Sequence, residues 1–196
     1  VNDAPVLATV ANVSFNEDGS GSTSLSGSDV DGDDLTYSIT GGTDISASLS
    51  GSDVSFSAPA NYNGSESFIV AVTDGEYIDS QSITVTVNAV NDAPTANAAS
   101  GTTDEDESVV ITLSGDDIDG DNLTFSLGDA ASNGSVSLDG SLATYTPDAN
   151  YNGDDSFTFS VSDGEYVASA SVTVFVAAVN DAPVLATVAN VSFNED

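Results

Sequence analysis

The chain of 196 residues contains 32 Asp and Glu residues and no Lys, Arg or His, so its formal net charge at pH 7 is −32. Without cationic side chains it has no means of holding nucleic acid or an anionic membrane surface, and both are excluded as direct partners. Cysteine is absent, which excludes disulfides and thiolate metal sites. No apolar run is long enough to cross a bilayer, so membrane insertion is not expected. The counter-charge must come from solution cations or from a bound metal.

The pentapeptide VNDAP begins at residues 1, 90 and 179, so it recurs at a constant spacing of 89 residues. A fixed period predicts tandem domains: one at 1–89, a second at 90–178, and at 179–196 the start of a third that holds its first strand only. Residues 179–196 repeat residues 1–18 letter for letter, whereas the middle copy departs from them after VNDAP. We therefore expect pairs of domains that recur in a longer array.

Within each domain, apolar residues alternate with polar ones, which is typical of strands that bury one face. In chain order, the alternating runs are residues 35–39, 54–56 and 83–87 in the first domain and 123–127 and 172–176 in the second. Residues 68–72 (FIVAV) are continuously apolar and predict a strand covered on both faces, and residues 157–161 replace them in the second domain. In the third segment, Val188, Val191 and Phe193 predict one strand.

Clusters of Gly, Asn, Asp and Ser, such as DVDGDD, ITGGTD and NYNGSE, separate these runs and predict turns. No segment has the period of an amphipathic helix. About seven short strands per domain predict an all-β fold of tandem antiparallel sandwiches of the immunoglobulin-like kind.

Four acidic motifs recur at matching places in both domains: NED at 16–18 and DED at 104–106, DVDGD at 29–33 and DIDGD at 117–121, TDGEY at 73–77 and SDGEY at 162–166, and VNDAP itself. Each motif alone also fits an ordinary turn or strand end. Ca²⁺ needs about six to eight oxygen ligands, and an Asp-x-Asp pair in an extended loop points two carboxylates the same way. Two carboxylates about 4 Å apart repel by about 4 kcal/mol at an effective dielectric of about 20. Because no Lys or Arg is present, the combination predicts a cation between them.

An EF-hand does not account for these motifs. Counting from Asp29 places Asp34 where that loop needs Gly, and Thr40 where it needs a bidentate Glu. The motifs instead occur in a fixed order: an early Glu, a DxD before an LTYSI-type strand, a VTDG turn, and a strand that leads into a V-N-D-x-P linker. In this order they resemble cadherin repeats, and more closely the bacterial cadherin-like (VNDAP-type) tandem repeats of large secreted or RTX-type adhesins. The resemblance covers both full domains and the third segment.

The resemblance implies cadherin-like sandwiches with Ca²⁺ at each junction, one or two ions at the central one. Carried onto this chain, it implies the ligands Glu17, Asn91, Asp92, Asp117, Asp119 and Asp163, with Asn61, Asn63 and Asp121 as weaker candidates. It also implies incomplete outer sites, at Asp3, Asp29, Asp31 and Asp74 and at Glu105, Asn180 and Asp181. Two departures argue against the family's full complement of ions. Ala89 stands where the family linker begins with Asp, and residues 61–63 (NYN) stand where the family has Asp-x-Glu.

Repeat, charge and resemblance together predict an extracellular spacer or adhesion module of a large cell-surface or secreted adhesin, made rigid by Ca²⁺ and in contact with neighbouring repeats of its own chain. The alternative is a recognition module for carbohydrate or for a partner protein, a second copy included. Its candidate aromatic residues are Tyr62, Tyr77, Tyr151 and Tyr166, although each follows a turn and also fits simple packing. An enzyme is not expected, because the usual nucleophile and base pairs cannot be assembled without His, Cys and Lys.

Overall fold

The computed structural model describes residues 1–187, 189–193 and 195, and these residues form strands and no helix. The chain divides into two compact units, unit 1 at Val1–Asn91 and unit 2 at Asp92–Asp196. Val188, which contributes to the alternation predicted for the third segment, lies outside the described residues.

Unit 1 is built from two facing sheets and one short strand pair. Its strands are β1 (Val6–Leu7), β2 (Val13–Asn16), β3 (Ser20–Ser24), β4 (Gly27–Ser28), β5 (Thr36–Gly41), β6 (Ser46–Ser50), β7 (Asp53–Ser57), β8 (Gly64–Thr73) and β9 (Ile78–Asn88). The four-stranded sheet has the order β2-β9-β8-β5, the three-stranded sheet has the order β3-β7-β6, and β1 pairs with β4.

Unit 2 repeats this arrangement with its own nine strands. They are β10 (Thr95–Asn97), β11 (Ala99–Asp104), β12 (Val109–Thr112), β13 (Ser114–Asp116), β14 (Thr124–Leu127), β15 (Gly134–Asp139), β16 (Leu142–Pro147), β17 (Gly153–Ser162) and β18 (Val167–Ala177). The sheets have the orders β11-β18-β17-β14 and β12-β16-β15, and β10 pairs with β13.

The predicted all-β class of tandem sandwiches is confirmed, with one refinement in how the first strands are paired. The first segment of unit 1 changes partner along its length: β1 pairs antiparallel with β4, and β2 then pairs parallel with β9. Unit 2 repeats the parallel pair with β11 and β18. The second strand is divided as well, which is why more than seven short strands appear in each unit.

The core lies between the two sheets of each unit. In unit 1, the rings of Phe56 and Phe68 meet edge to face, with 5.3 Å between their centroids. The prediction that residues 68–72 are covered on both faces is wrong, because Phe68 is buried while Ile69 is 53% exposed. A two-layer sandwich covers only the inner face of each sheet, so every second side chain of even an apolar strand faces solvent.

The described residues of 179–196 form no strand. In unit 1 the identical residues pair through β1 with Gly27–Ser28 and through β2 with residues 85–88. Nothing in 179–196 corresponds to these partners, and a lone strand without a partner leaves its backbone donors and acceptors to water.

Candidate metal centre

The DVDGD motif at residues 29–33, called here the first acidic loop, folds around one of its own carboxylates. Asp29 Oδ1 accepts hydrogen bonds from the backbone N–H groups of Asp31, Gly32 and Asp33 at 2.8, 3.1 and 3.4 Å. Gly32 has φ of +80°, a conformation that favours glycine, and it lets the loop close in this way. The loop follows β4 directly and leads into β5.

The DIDGD motif at residues 117–121, the second acidic loop, repeats the same fold in unit 2. Asp117 Oδ1 accepts from the N–H groups of Asp119 and Asp121 at 3.0 and 3.2 Å. Gly120 again has φ of +80°. The recurrence of the whole geometry at the same position in both units indicates that the motif dictates the loop.

Three carboxylates converge in each acidic loop. Carboxylate oxygens of Asp29, Asp31 and Asp33 lie within 4.8 Å of one another, and so do those of Asp117, Asp119 and Asp121. In each loop the second oxygen of the leading residue, Oδ2 of Asp29 or of Asp117, is buried and has no hydrogen-bond partner among the described residues. A buried carboxylate oxygen with no donor is costly, and a cation would satisfy it. The donor set, carboxylates held by a short loop at a strand end, is that of a hard divalent cation such as Ca²⁺.

The Asn-Asp pair of VNDAP joins the acidic loop to the TDGEY turn in unit 1. The Asp3 N–H donates to Asp31 Oδ2 at 2.7 Å, and Asn2 Nδ2 donates to Asp74 Oδ2 at 3.0 Å. In unit 2 the Asp92 N–H donates to Asp119 Oδ2 at 2.8 Å, which repeats the first of these contacts. In both units, therefore, the Asp of VNDAP contacts the DxD pair through its main-chain N–H.

The TDGEY and SDGEY turns each close on their own Asp. Asp74 Oδ1 accepts from the N–H groups of Glu76 and Tyr77, both at 2.7 Å, and Asp163 Oδ1 accepts from those of Glu165 and Tyr166 at 2.7 and 2.6 Å. The Tyr77 N–H is the main cause of a lowered Asp74 pKa, because donors to a carboxylate favour its charged form. The TDGEY turn therefore presents an ionised Asp74 carboxylate.

Glu17 and Glu105 form a second acidic feature, where β2 or β11 ends. Both side chains are buried, with 6% and 7% exposed, and both accept a hydrogen bond from the backbone of a VNDAP motif. Glu17 Oε1 accepts from the Val90 N–H, and Glu105 Oε1 accepts from the Val179 N–H, both at 2.5 Å. Glu17 Oε2 is buried without a hydrogen-bond partner among the described residues. One oxygen of Glu17 therefore holds the backbone of Val90, while the other is buried with no hydrogen bond to compensate it.

The weaker candidate ligands and the two outer residues after Val179 lie in turns, in an acidic loop or in exposed chain. The Asn61 N–H donates to Asp18 Oδ1 at 3.2 Å, which anchors the NYNG turn, while the Asn63 side chain is exposed. Asp121 belongs to the second acidic loop. Asn180 and Asp181 are exposed, and Asn180 Nδ2 donates to the Asp181 carbonyl at 3.2 Å.

Some structurally important acids escape the sequence interpretation. Asp33 completes the first acidic loop as its third carboxylate. Asp106 repeats the role of Asp18 by accepting from the Asn150 N–H at 3.0 Å. The signal that could have found them is their recurrence in both copies of NED/DED and DxDGD.

The acids inside the sandwich have a structural role rather than a metal-binding one. Glu66 Oε2 accepts from the N–H groups of Thr43 and Ile45 at 2.8 and 3.1 Å, while its Oε1 accepts from that of Asp44 at 3.0 Å, and these donors lower its pKa. At the matching place in unit 2, Asp155 Oδ2 accepts from the buried Tyr145 hydroxyl at 2.9 Å. Burial raises the pKa of Tyr145, and the bond to Asp155 raises it further.

The four tyrosines proposed for carbohydrate divide into two kinds. Tyr62 and Tyr151 pack against the cores of their units. Tyr77 and Tyr166 follow the TDGEY-type turns and are each 43% exposed.

The protein is of the immunoglobulin-like sandwich class, and each of its two units carries an acidic loop at a strand end. The chain belongs to the bacterial Ig domain family, whose model matches residues 2–88 and again residues 91–175. Among solved structures it is similar to human protocadherin-24 EC1-2 in two crystal forms. The identities are 17% and 15% and the TM-scores 0.63 and 0.54, over 93% of this chain and 100% of the protocadherin chain in both cases. At this identity the likeness shows the fold alone, and it confirms the cadherin-like part of the predicted resemblance.

A weaker likeness links the chain to an endo-fucoidan hydrolase of glycoside hydrolase family 107. The identity is 22% and the TM-score 0.38, over 90% of this chain and 29% of the hydrolase chain, and at that score it carries no argument. The chain thus spans less than a third of the hydrolase it matches. No match was found among curated protein sequences.

Bacterial Ig and cadherin-like domains are typical of extracellular or surface proteins, and they are typically non-enzymatic. None of the described residues belongs to a helix long and apolar enough to cross a membrane.

Proposed function

We propose that this chain is a calcium-rigidified spacer or adhesion module of a large cell-surface or secreted adhesin. The observation that carries the proposal is the pair of buried carboxylate oxygens, Asp29 Oδ2 and Asp117 Oδ2. Each lies inside a cluster of three converging carboxylates and has no hydrogen-bond donor in the part of the chain that the structure describes. With no cationic side chain in the sequence, only a cation from solution can compensate this charge.

The ligands that we propose at the central linker are those that the resemblance to cadherin repeats implies, and contacts within each unit support them. In unit 2, Asp117, Asp119 and Asp121 supply carboxylates, and Asp92 is tied to Asp119 through its main chain. In unit 1, Glu17 is tied to the linker through Val90. Because Val90 and Asp92 are separated by only one residue, one or two Ca²⁺ ions held by both sets would restrict rotation of the linker. Asn91 and Asp163 complete the proposed set.

The proposed mechanism is electrostatic. Without the ion, carboxylates that lie within 4.8 Å of one another repel, and the loop and linker sample wider conformations. With the ion bound, each carboxylate is attracted to the cation, and this attraction outweighs the repulsion between the carboxylates. The folded state is stabilised because the ion binds to it and not to the unfolded chain, which lacks the site. A spacer of fixed geometry and high negative charge suits a protein that must hold a binding domain away from a cell surface.

Small-angle scattering tests this proposal directly. Scattering from the whole chain is compared in millimolar-range Ca²⁺, in chelator, and in Mg²⁺ as a control for charge screening. We expect a narrow distribution of maximum dimensions in Ca²⁺ that broadens in chelator and is not restored by Mg²⁺. The doubly substituted Asp117→Asn/Asp119→Asn chain should behave in Ca²⁺ as the native chain does in chelator. Equal dimensions of the native chain under all three conditions would refute the spacer mechanism.

A second candidate, carbohydrate recognition, is favoured by one groove in unit 2. The groove is lined by polar groups that include Ser100, Thr102, Asn133 and Asp154, beside Phe175. The Phe175 ring is 51% exposed, and unit 1 has Thr86 at the matching position. An exposed ring next to hydroxyl and amide groups is the chemistry by which proteins stack sugars and bind their hydroxyls. Binding to a glycan array that is lost in Phe175→Thr and kept in Phe193→Thr would support this candidate, and equal signals from both variants would remove it.

A further inference from the structure

A pocket lies between the two sheets of unit 2, on the side where each sheet has its last strand. Its volume is about 430 Å³, and it is lined by Leu127 of β14, Val136 of β15, Phe157 of β17 and residues 128–131 of the loop that joins β14 to β15. In the sheets that the structure describes, β14 and β15 are each bonded to a single neighbour. The pocket is therefore flanked by two strand edges, and its mainly apolar wall reaches the core at Phe157, which is 2% exposed.

In unit 1 the matching place is taken by the side chain of Ile45. Gly134 stands where unit 1 has Ile45, because β15 and β6 pair with the strand that follows them in the same register. Ile45 is 2% exposed and belongs to the same buried cluster as Phe68, the counterpart of Phe157. Unit 2 has only a glycine at this position, so it has no side chain there to cover Phe157.

Tyr145 explains why this position is a glycine. Its hydroxyl donates to Asp155 Oδ2 at 2.9 Å, which holds the ring beside the start of β15. A Cβ atom at Gly134 would lie 2.8 Å from two carbons of the Tyr145 ring, closer than side chains approach one another. In unit 1 the matching ring is that of Phe56, which has no hydroxyl and instead packs edge to face against Phe68. The pocket therefore follows from differences in sequence that are specific to unit 2.

Hydrogen bonds hold the loop that lines the pocket. At the start of the loop, the Asp129 N–H donates to Thr158 Oγ1 at 2.6 Å. Near its end, the N–H groups of Ser132 and Asn133 donate to the carboxylate of Asp155 at 3.1 and 2.9 Å. The pocket is therefore formed in advance by the fold, as is usual for a binding site.

Charge and shape restrict what the pocket can hold. Asp129 lies in its wall and is exposed, and the chain carries a net charge of −32 without a cationic side chain. An anionic ligand or a second copy of the chain is repelled, whereas an apolar group with cations beside it is attracted. The strand edges add a requirement of shape, because their row of backbone donors and acceptors pairs best with another extended chain.

We propose that unit 2 binds an extended segment of a partner protein, rich in Lys or Arg, that adds as a strand to the edge of β15. One apolar side chain of the segment enters the pocket against Leu127 and Val136. The basic side chains two residues to either side point the same way and reach the acidic wall that includes Asp129. Main-chain hydrogen bonds supply affinity, and the pocket supplies the preference for an apolar residue between two basic ones.

Fluorescence anisotropy with a labelled model peptide tests the proposal. The probe is acetyl-TKTLTKT-amide, and the whole chain is titrated into it at physiological salt. The peptides TKTTTKT and TETLTET, which lack the apolar side chain or the cations, are the controls. We expect the probe to bind about tenfold more tightly than either control, since about 1.4 kcal/mol of apolar burial or charge attraction corresponds to that factor. N-methylation of the three central amides should weaken the probe as much, because it removes donors of the added strand.

Two leucines provide a matched pair of variants. Leu127 is 40% exposed and lines the pocket, whereas Leu142 is 45% exposed and lies outside it. Leu127→Asp and Leu142→Asp add the same charge, but only Leu127→Asp removes apolar wall, so it alone should weaken probe binding, by about tenfold. Asp129→Asn changes an exposed residue and should also weaken it, with a smaller dependence on salt. Circular dichroism checks that each variant is folded.

Four results would overturn the proposal. The first is that TKTTTKT or TETLTET binds as tightly as the probe, and the second is that N-methylation has no effect. The third is that the two leucine variants bind the probe alike. The fourth is a dimer of the native chain, seen by sedimentation, that Leu127→Asp dissociates, because it would assign the pocket to a second copy of the chain.

Discussion

Neutralising Asp119 should have opposite effects on stability with and without calcium. The carboxylate is one of three that converge in the second acidic loop, and one of its oxygens also accepts the Asp92 N–H. Asp119→Asn retains an oxygen that can accept this hydrogen bond and removes only the charge. In chelator the substitution should therefore stabilise unit 2, whereas in Ca²⁺ it should reduce the stabilisation that the ion provides.

The repulsion that Asp119→Asn relieves can be calculated from the distances between the carboxylates of the second acidic loop. At the 4.8 Å limit of the carboxylate oxygens, each pair repels by about 0.9 kcal/mol in water and by about 3.5 kcal/mol at an effective dielectric of about 20. Asp119 takes part in two of the three pairs and is exposed, so the aqueous limit applies. The two pairs sum to about 1.8 kcal/mol, and screening by physiological salt lowers this repulsion to about 1 kcal/mol. For a domain of this size, about 1 kcal/mol shifts the melting temperature by about 4–8 °C.

Calorimetric or circular-dichroism melts of the native chain, Asp119→Asn and the control Asp139→Asn would measure both effects. Asp139 is an exposed acid on β15, outside either acidic loop, so its substitution makes the same change of net charge. We expect Asp119→Asn to melt several degrees higher than the control in chelator and to gain less than the control on addition of Ca²⁺. If the two variants melt alike in chelator, the carboxylates do not repel as the geometry requires. If both gain equally from Ca²⁺, the loop is not its site.

Three further results are expected. Glu17→Gln keeps the acceptor for the Val90 N–H but removes the buried charge, and should weaken calcium binding, measured by titration calorimetry, by on the order of tenfold or more. Glu105→Gln should weaken calcium binding less, because residues 179–196 contain no DxDGD motif, and equal losses would contradict the proposed linker site. Tyr145→Phe should lower the free energy of unfolding of unit 2 in urea by about 1.5–3 kcal/mol, since it removes a buried hydrogen bond to the charged Asp155, and an unchanged midpoint would show that the bond adds no net stability. In chelator, acid should destabilise unit 2 through Asp155. Burial raises the pKa of this carboxyl, but hydrogen bonds from its backbone donors outweigh burial and leave the pKa below the ordinary value of 3.8. The stability that Asp155 contributes is therefore complete above 3.8 and lost as the pH falls through the lowered pKa; Asp155→Asn should flatten that part of the stability profile, and an unchanged slope would assign it to other acids.

The periodicity of the sequence was sufficient to predict the class of fold. Alternation in residues 83–87 predicts a strand with one buried face, and β9 buries Ile83, Val85 and Val87 on that face. Periodicity misled at residues 68–72, where an apolar side chain such as Ile69 faces solvent. The sequence of a strand shows which side chains are apolar, but it does not show whether one or both faces of the strand are covered. Residues distant in the chain form the sheet that packs against it.

The candidate ligands were predictable to the extent that they belong to local motifs. The spacing of Asp117, Asp119 and Asp121 is enough to close the second acidic loop, since the contacts run only two to four residues along the chain. The burial of Glu17 beside Val90 could not be read in this way. It depends on the parallel pairing of β2 with β9, which brings together residues more than seventy positions apart.

By itself, therefore, the sequence determined the repeat, the alternating strands, the acidic loops and the absence of any internal counter-charge, because each of these depends on neighbouring residues or on composition. Only the tertiary structure decided that the first segment divides between two sheets and that Asp117 Oδ2 is buried with no hydrogen-bond donor among the described residues. It also decided that Leu7, Val13 and Phe15 are packed while Leu185, Val191 and Phe193 of the identical copy are exposed. The last difference is the clearest, since two segments with the same letters cannot be distinguished by any local rule. What separates them is the presence of β4 and β9 as partners for the first copy, and partners are supplied by the fold.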